Sequence, residues 1–230
     1  MSAGAHRSSS RWASPRPDAN FRISPRPVRG ESRFIGPGRA PAARPEGIHR
    51  TRAPAARAEH NDPELPITIA IISDTHMPRG ERRLPDRCVE LLTAADLIIH
   101  AGDFTALSVL THLQSLNTPI KAVHGNVDAP ELRHALPETR TVTLETGHAL
   151  AIVHDAGPAR GRIDRLEARF EDADAVIFGH SHMPLHERAP DGFQIFNPGS
   201  PTERRRAPTR TMGIARATAA ELRFELVDLG

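Results

Sequence analysis

Five short segments of this 230-residue chain carry side chains able to bind a divalent cation. They read Ser73-Asp74-Thr75-His76, His100-Ala101-Gly102-Asp103, His124-Gly125-Asn126-Val127-Asp128, a single His154, and Gly179-His180-Ser181-His182. The candidate donors are Asp74, His76, Asp103, Asn126, His154, His180 and His182. An all-oxygen set would indicate Mg²⁺ or Ca²⁺, and thiolates would indicate structural zinc. Mixed imidazole and carboxylate donors suit Mn²⁺, Fe²⁺, Ni²⁺, Co²⁺ or Zn²⁺. Seven donors exceed what one tetrahedral ion requires, but they suit two ions that share a bridging carboxylate. Such a pair lowers the pKa of a shared water, so hydroxide is available near neutral pH, and it stabilises charge on phosphoryl oxygens. No serine or cysteine nucleophile is then required.

Each segment follows an apolar run of strand length. The runs span 67–72, 97–99, 120–123, 150–153 and 176–178, short enough for buried strands. Amphipathic spacing predicts helices between them over 81–94, 105–116 and 160–170, the last presenting Ile163, Leu166 and Phe170 on one face. This alternation predicts an α/β domain. Four later runs, at 185–189, 193–196, 211–217 and 222–227, lack intervening helices and predict a second, mainly antiparallel sheet. If the five earlier strands lie side by side, their carboxyl ends gather all seven donors, where ligands of open α/β sheets bind. Asp74 and His76, like His180 and His182, are two residues apart, so in extended backbone each pair points one way.

Composition divides the chain in two. Residues 1–66 hold twelve arginines against six acids and ten of the 21 prolines, while the remainder holds 18 basic against 22 acidic residues. With few large apolar groups to offset ordering entropy, residues 1–65 are expected to be a disordered Arg/Pro/Ala-rich tail, followed by a folded domain over 66–230. The tail admits attachment to nucleic acid through phosphate contacts, though Trp12, Phe21 and Phe34 are isolated and mark no base-stacking surface. No apolar run reaches membrane-spanning length, and no continuous apolar stretch marks a secretory signal near the start. A single cysteine, Cys88, excludes an intrachain disulfide and any cysteine-rich zinc site, so a reducing, cytoplasmic location is expected. The lone Lys121 follows no glycine-rich loop, and no dinucleotide fingerprint follows a strand.

The ordered series Asp74-x-His76, Gly102-Asp103, Gly125-Asn126-x-Asp128, His154, Gly179-His180-x-His182 and Asn197-Pro198-Gly199-Ser200 resembles the calcineurin-like metallophosphoesterases, specifically their small bacterial and archaeal branch. The resemblance covers roughly residues 67–230. It implies a four-layer α/β/β/α sandwich with two metal ions at strand ends. Asp74, His76, Asp103 and His182 would hold one ion, and Asp103, Asn126, His154 and His180 the other, with Asp103 bridging. Asp103, Asn126 and His180 are the expected catalytic residues. The implied activity is hydrolysis of a phosphate ester, often with Mn²⁺. The family also includes an endosomal coat subunit that works as a protein-binding scaffold.

Two positions depart from the family pattern. Larger members place His after the ligand Asn, where it can protonate the leaving group; here Val127 stands there, leaving His124 or a water as stand-ins. A weak general acid points to phosphodiesters over phosphomonoesters. At His154-Asp155, relatives usually show His-Gly, and the larger neighbour could reshape the pocket. Asp128 has no such His to orient, and Asp128-Ala129-Pro130-Glu131 reads as a helix N-cap with a capping-box acid. His100 is expected either to orient Asp103 or to pack within the core. Arg204-Arg205-Arg206 reads as an exposed basic loop or an anion contact, and Cys88 as a small packing residue. A homo-oligomer is compatible with everything above.

Overall fold

A computed structural model of the chain describes residues 65–230. The expected tail over 1–65 therefore lies outside the described residues, apart from its last position. The elements run β1 (Ile67–Ile72), α1 (Asp86–Ala94), β2 (Leu97–His100), α2 (Leu107–Gln114), β3 (Ile120–Ala122), α3 (Pro130–Ala135) and β4 (Thr139–Thr143). They continue with β5 (Ala149–Val153), α4 (Arg162–Arg169), β6 (Ala175–Ile177), β7 (Leu185–Arg188), β8 (Gln194–Asn197), β9 (Thr211–Ala217) and β10 (Leu222–Asp228).

The strands form two five-stranded sheets, ordered β10-β9-β1-β2-β3 and β4-β5-β6-β8-β7. Side chains alternate across a strand, and β1 shows what that alternation decides. Ile67, Ile69 and Ile71 meet Leu150, Ile152, Ile177 and Phe196 of the other sheet in a core between the sheets. Ala70 and Ile72 point the opposite way, onto Cys88 and Leu92 of α1, Leu110 and Leu113 of α2, and Leu132 of α3. The second sheet repeats the arrangement, with Val153, Val176 and Phe178 packed against Leu166 of α4. Both faces of the inner strands are covered, which is why they read as unbroken apolar runs. The layers are α/β/β/α, as the resemblance implies. Ile71 is fully buried between the sheets, so Ile71→Ala should lower unfolding free energy by about 2–5 kcal/mol. A urea denaturation midpoint unchanged from wild type would contradict that placement.

Several sequence expectations are corrected. The five donor-bearing strands do not lie side by side: β1, β2 and β3 are parallel neighbours in one sheet, and β5 and β6 are parallel in the other. The late strands do not form a sheet of their own. β9 pairs antiparallel with β1 and carries β10, whereas β8 pairs parallel with β6 and carries β7. Local patterning reports that a strand is buried but not which distant edge it joins. β4 was not expected; its residues Thr-Arg-Thr-Val-Thr bury fully only Val142, as suits a sheet edge. Helix α1 starts five residues late because Pro85 disfavours helical backbone at Leu84.

Candidate metal centre

The parallel strands of both sheets end at the same side of the sandwich, and their loops are sewn together there. Asp74 N–H donates to Gly102 O and His76 N–H to Asp103 O, both at 3.0 Å, tying the loop after β1 to the loop after β2. Gly179 N–H donates to His154 O at 3.0 Å, tying β6 to β5. Between the sheets, His180 N–H donates to Asp74 Oδ2 at 3.0 Å.

All seven candidate side chains converge. Asp74, His76 and His182 form one group and Asp103, His154 and His180 a second. In the first, His182 Nε2 lies 3.2 Å from Asp74 Oδ1 and 3.1 Å from His76 Nε2. In the second, His154 Nε2 lies 3.2 Å from Asp103 Oδ2 and 3.1 Å from Asn126 Oδ1, and His180 Nδ1 lies 2.9 Å from that Asn126 oxygen. Asp103 Oδ2 is also 3.7 Å from His76 Nε2, so one carboxylate faces both groups. The extended-backbone expectation fails for both pairs: Asp74 and His76 still share a group, whereas His180 and His182 serve different groups. Asp74, His76, Asp103, His180 and His182 have φ of 55°, 45°, 60°, 69° and 57°, the left-handed region. Each such residue costs about 1–3 kcal/mol and persists only where its surroundings hold it.

The donor set fits divalent cations. Asp74 Oδ1 is buried without a hydrogen-bond donor, beside two imidazole nitrogens. His154 Nδ1 lies 2.7 Å from Ala101 O, so one ring proton is donated there, and Nε2 either carries a second proton toward Asp103 or, once that proton is lost, offers its lone pair to an ion. Carboxylate and imidazole atoms crowded at these distances need positive charge between them, as protons or as a bound ion. Burial alone would raise the Asp103 pKa. The hydrogen bond and charge of His154, the Val127 N–H and the charge of His76 outweigh burial and hold it at about 2. Burial opposes protonation of His154, but Asp103 and Asp74 more than compensate and its pKa is raised. For His76 burial prevails over the same carboxylates, and its pKa is lowered. Most of the centre is enclosed, whereas Asn126 and His180 are exposed and mark its open side.

Glycines permit the close approach. A Cβ on Gly179 would overlap Ser73 Oγ and stand 2.6 Å from Asp74 Oδ2; one on Gly125 would overlap Asp103 Oδ1.

Asp128 is not a helix cap. Ala129 occupies the N-cap of α3 with no side-chain cap. The buried Asp128 carboxylate instead accepts from Gly125 N–H (2.7 Å), Thr105 N–H (2.7 Å) and Asp103 N–H (3.2 Å). It is the anion around which the loops bearing Asp103 and Asn126 are folded. His100 does not hydrogen-bond Asp103. Its Nδ1 accepts from Gly102 N–H and its Nε2–H donates to Thr75 Oγ1, both at 3.2 Å, while the ring stacks on Phe104. Burial drives its pKa well down, so it joins two loops as a neutral imidazole.

Asn197-Pro198-Gly199-Ser200 works from behind the centre: Asn197 donates to Gly179 O and Ser200 Oγ to Asp74 O, both at 2.8 Å. Sequence reading missed Arg133, whose guanidinium donates to Asn126 O and Asp128 O; no local signal marks a helix arginine for that task. Asp155 is exposed and accepts from Gly157 N–H at 2.7 Å, making a turn rather than a pocket wall. His124 is half-buried and belongs to neither group, and Arg204, Arg205 and Arg206 are exposed. Cys88 is buried, and desolvation pushes its thiol up to about 12, as an inert packing residue requires.

Residues 67–220 match the calcineurin-like phosphoesterase superfamily domain, and the chain belongs to that family. It is 32% identical over 169 residues to a probable metallophosphoesterase of Methanothermobacter thermautotrophicus, covering 71% of this chain and 94% of the relative. A phosphodiesterase of Methanocaldococcus jannaschii is 28% identical over 144 residues, covering 58% of this chain and 83% of the relative. The structure of vacuolar protein sorting 29 from Cryptosporidium parvum shares the fold with a TM-score of 0.60 at 16% identity, covering 71% of this chain and 98% of that one. Among the described residues, no helix is long and apolar enough to cross a membrane.

Proposed function

We propose that this chain is a dinuclear metal-dependent phosphoesterase acting on phosphodiesters. The observation that carries the reading is Asp103 Oδ2, which faces His76 of one donor group at 3.7 Å and His154 of the other at 3.2 Å. Asp74, His76, Asp103 and His182 would hold one ion; Asp103, Asn126, His154 and His180 would hold the other. When bound, such ions activate water near neutral pH and neutralise charge on phosphoryl oxygens. Mn²⁺ is the leading choice, with Fe²⁺, Ni²⁺, Co²⁺ and Zn²⁺ as alternatives for the same donors.

The protein's own groups prepare that chemistry. His154 is held in one tautomer by Ala101 O, and Asp103 is kept ionised and oriented by Val127 N–H. Asn126 and His180, on the open side, are the donors positioned to meet substrate. Val127 is 39% exposed where a proton donor would stand, and it cannot protonate a leaving group. That supports diesters with good leaving groups over monoesters, as does the relative named a phosphodiesterase. A protein-binding scaffold is the rival reading; seven donors gathered in the described geometry favour the enzyme, because a site says more about activity than a fold does. A cytoplasmic location is proposed on the buried, reduced Cys88.

The test is elemental analysis of the purified chain, together with hydrolysis of matched mono- and diesters across several divalent ions. Faster diester turnover with Mn²⁺ is expected. Much faster monoester turnover would overturn the diester preference, and no turnover with any ion would overturn the enzyme.

Acid should weaken ion binding in a predictable window. Before an ion binds, His154 keeps its proton to higher pH than a free imidazole, and the ion must displace that proton. Affinity for Mn²⁺ is therefore expected to start falling above pH 6.5, by roughly tenfold per pH unit once His154 is protonated. Asp103, at about 2, stays ionised throughout this range. Calorimetric Mn²⁺ titrations at pH 8 and pH 6 would check it; equal affinities would contradict it.

A further inference from the structure

His182 is the most enclosed imidazole of the centre, and half of its polar character is unaccounted for. Its Nε2 faces Asp74 and His76, but its Nδ1 is buried with no hydrogen-bond partner. A histidine that ligates through one nitrogen almost always donates the other N–H to an acceptor, which fixes the ring and strengthens the ligand. The carboxylate facing Nδ1 is Glu203, with Oε2 at 4.0 Å.

The placement of Glu203 is built into the fold. After β8 the chain turns through Asn197-Pro198-Gly199-Ser200, and Ser200 Oγ donates to Asp74 O at 2.8 Å. The same hydroxyl accepts from Glu203 N–H at 3.1 Å and Thr202 N–H at 3.3 Å, while Thr202 Oγ1 donates to Thr75 O at 2.8 Å. The backbone of Glu203 is thus fastened to the loop that carries Asp74 and His76. Its side chain is 29% exposed and bracketed by two guanidiniums, Arg82 at 3.2 Å on Oε1 and Arg205 at 3.8 Å on Oε2. These cations hold the carboxylate beside the His182 ring. A separation of 4.0 Å is too long for a hydrogen bond. Closing it takes a small side-chain rotation or one bridging water.

We propose that Glu203 is the positioning residue for His182: it accepts the Nδ1–H and holds the imidazole so that Nε2 serves the ion bound by Asp74 and His76. The inference rests on the dinuclear reading above. It gives the charged loop after β8 a task that its exposed arginines alone do not suggest.

Calorimetric titration of the full chain with MnCl₂ tests it, comparing wild type, Glu203→Gln and Glu203→Ala. Glu203→Ala should weaken one of two binding events by about 10- to 100-fold and leave the other unchanged. Glu203→Gln, nearly isosteric and still able to accept a hydrogen bond, should recover part of the loss. A merely structural loop contact would instead weaken both events together or neither. Two wild-type affinities in Glu203→Ala, equal loss of both, or a Gln variant no better than Ala would each overturn the proposal. Failure of the wild type itself to bind two ions would overturn the dinuclear reading, and this inference with it.

Discussion

Asp103→Ala is expected to abolish phosphoester hydrolysis and to disrupt binding at both ions, because this side chain faces both donor groups at once. A residue belonging to one group only, such as His180, should impair a single ion. A drop in kcat/KM of at least about a thousandfold is expected, equivalent to about 4 kcal/mol of transition-state stabilisation. Part of that loss has a second source. Asp103 Oδ1 accepts the Val127 N–H at 3.0 Å, so alanine also frees the loop that carries Asn126. Metal analysis alongside kinetics separates the two effects. A variant with full activity, or with one site still at wild-type affinity, would remove the bridging role.

The second large effect is expected at a residue that holds no ion. Asp128→Ala removes the acceptor of three backbone N–H groups, on Asp103, Thr105 and Gly125. Each buried donor left without a partner costs about 1–3 kcal/mol, a large share of the 5–15 kcal/mol typical of a whole domain. Activity should fall with stability, since the freed segments carry Asp103 and Asn126. Asp128→Asn keeps one acceptor oxygen and should fall between wild type and Ala. Urea denaturation and diester turnover, measured on the same preparations, check the prediction; an Ala variant as stable as wild type would refute it.

Asp128 also shows where a linear reading stops. An aspartate two residues before a helical proline satisfies every local criterion for a cap, and the nearby Glu131 strengthened that reading. The carboxylate is instead spent on N–H groups up to 25 residues away in the chain, a competition that exists only once β2 and β3 lie side by side. His180 and His182 make the same point. Their spacing suggested a shared direction in extended backbone, but both residues are left-handed, at φ of 69° and 57°, and they join different groups. Glycine spacing was legible as a motif, whereas its cause was not: Gly125 and Gly179 are needed because Asp103 and Ser73 press against them from other loops.

Apart from β4, the order of strands was written in the chain because apolar runs, their lengths and the prolines between them are local properties. The same runs end at the side chains that converge in space, so the chemistry they could support is readable from residue types. Sheet membership could not, because β9 beside β1 and β8 beside β6 are pairings between distant segments, chosen by which free edge could bury both faces of an apolar strand. The tertiary structure alone decided which donors share a group, which carboxylate faces both, and which buried polar groups hold the loops. Those are questions of distance, and only packing sets distance between residues far apart in sequence.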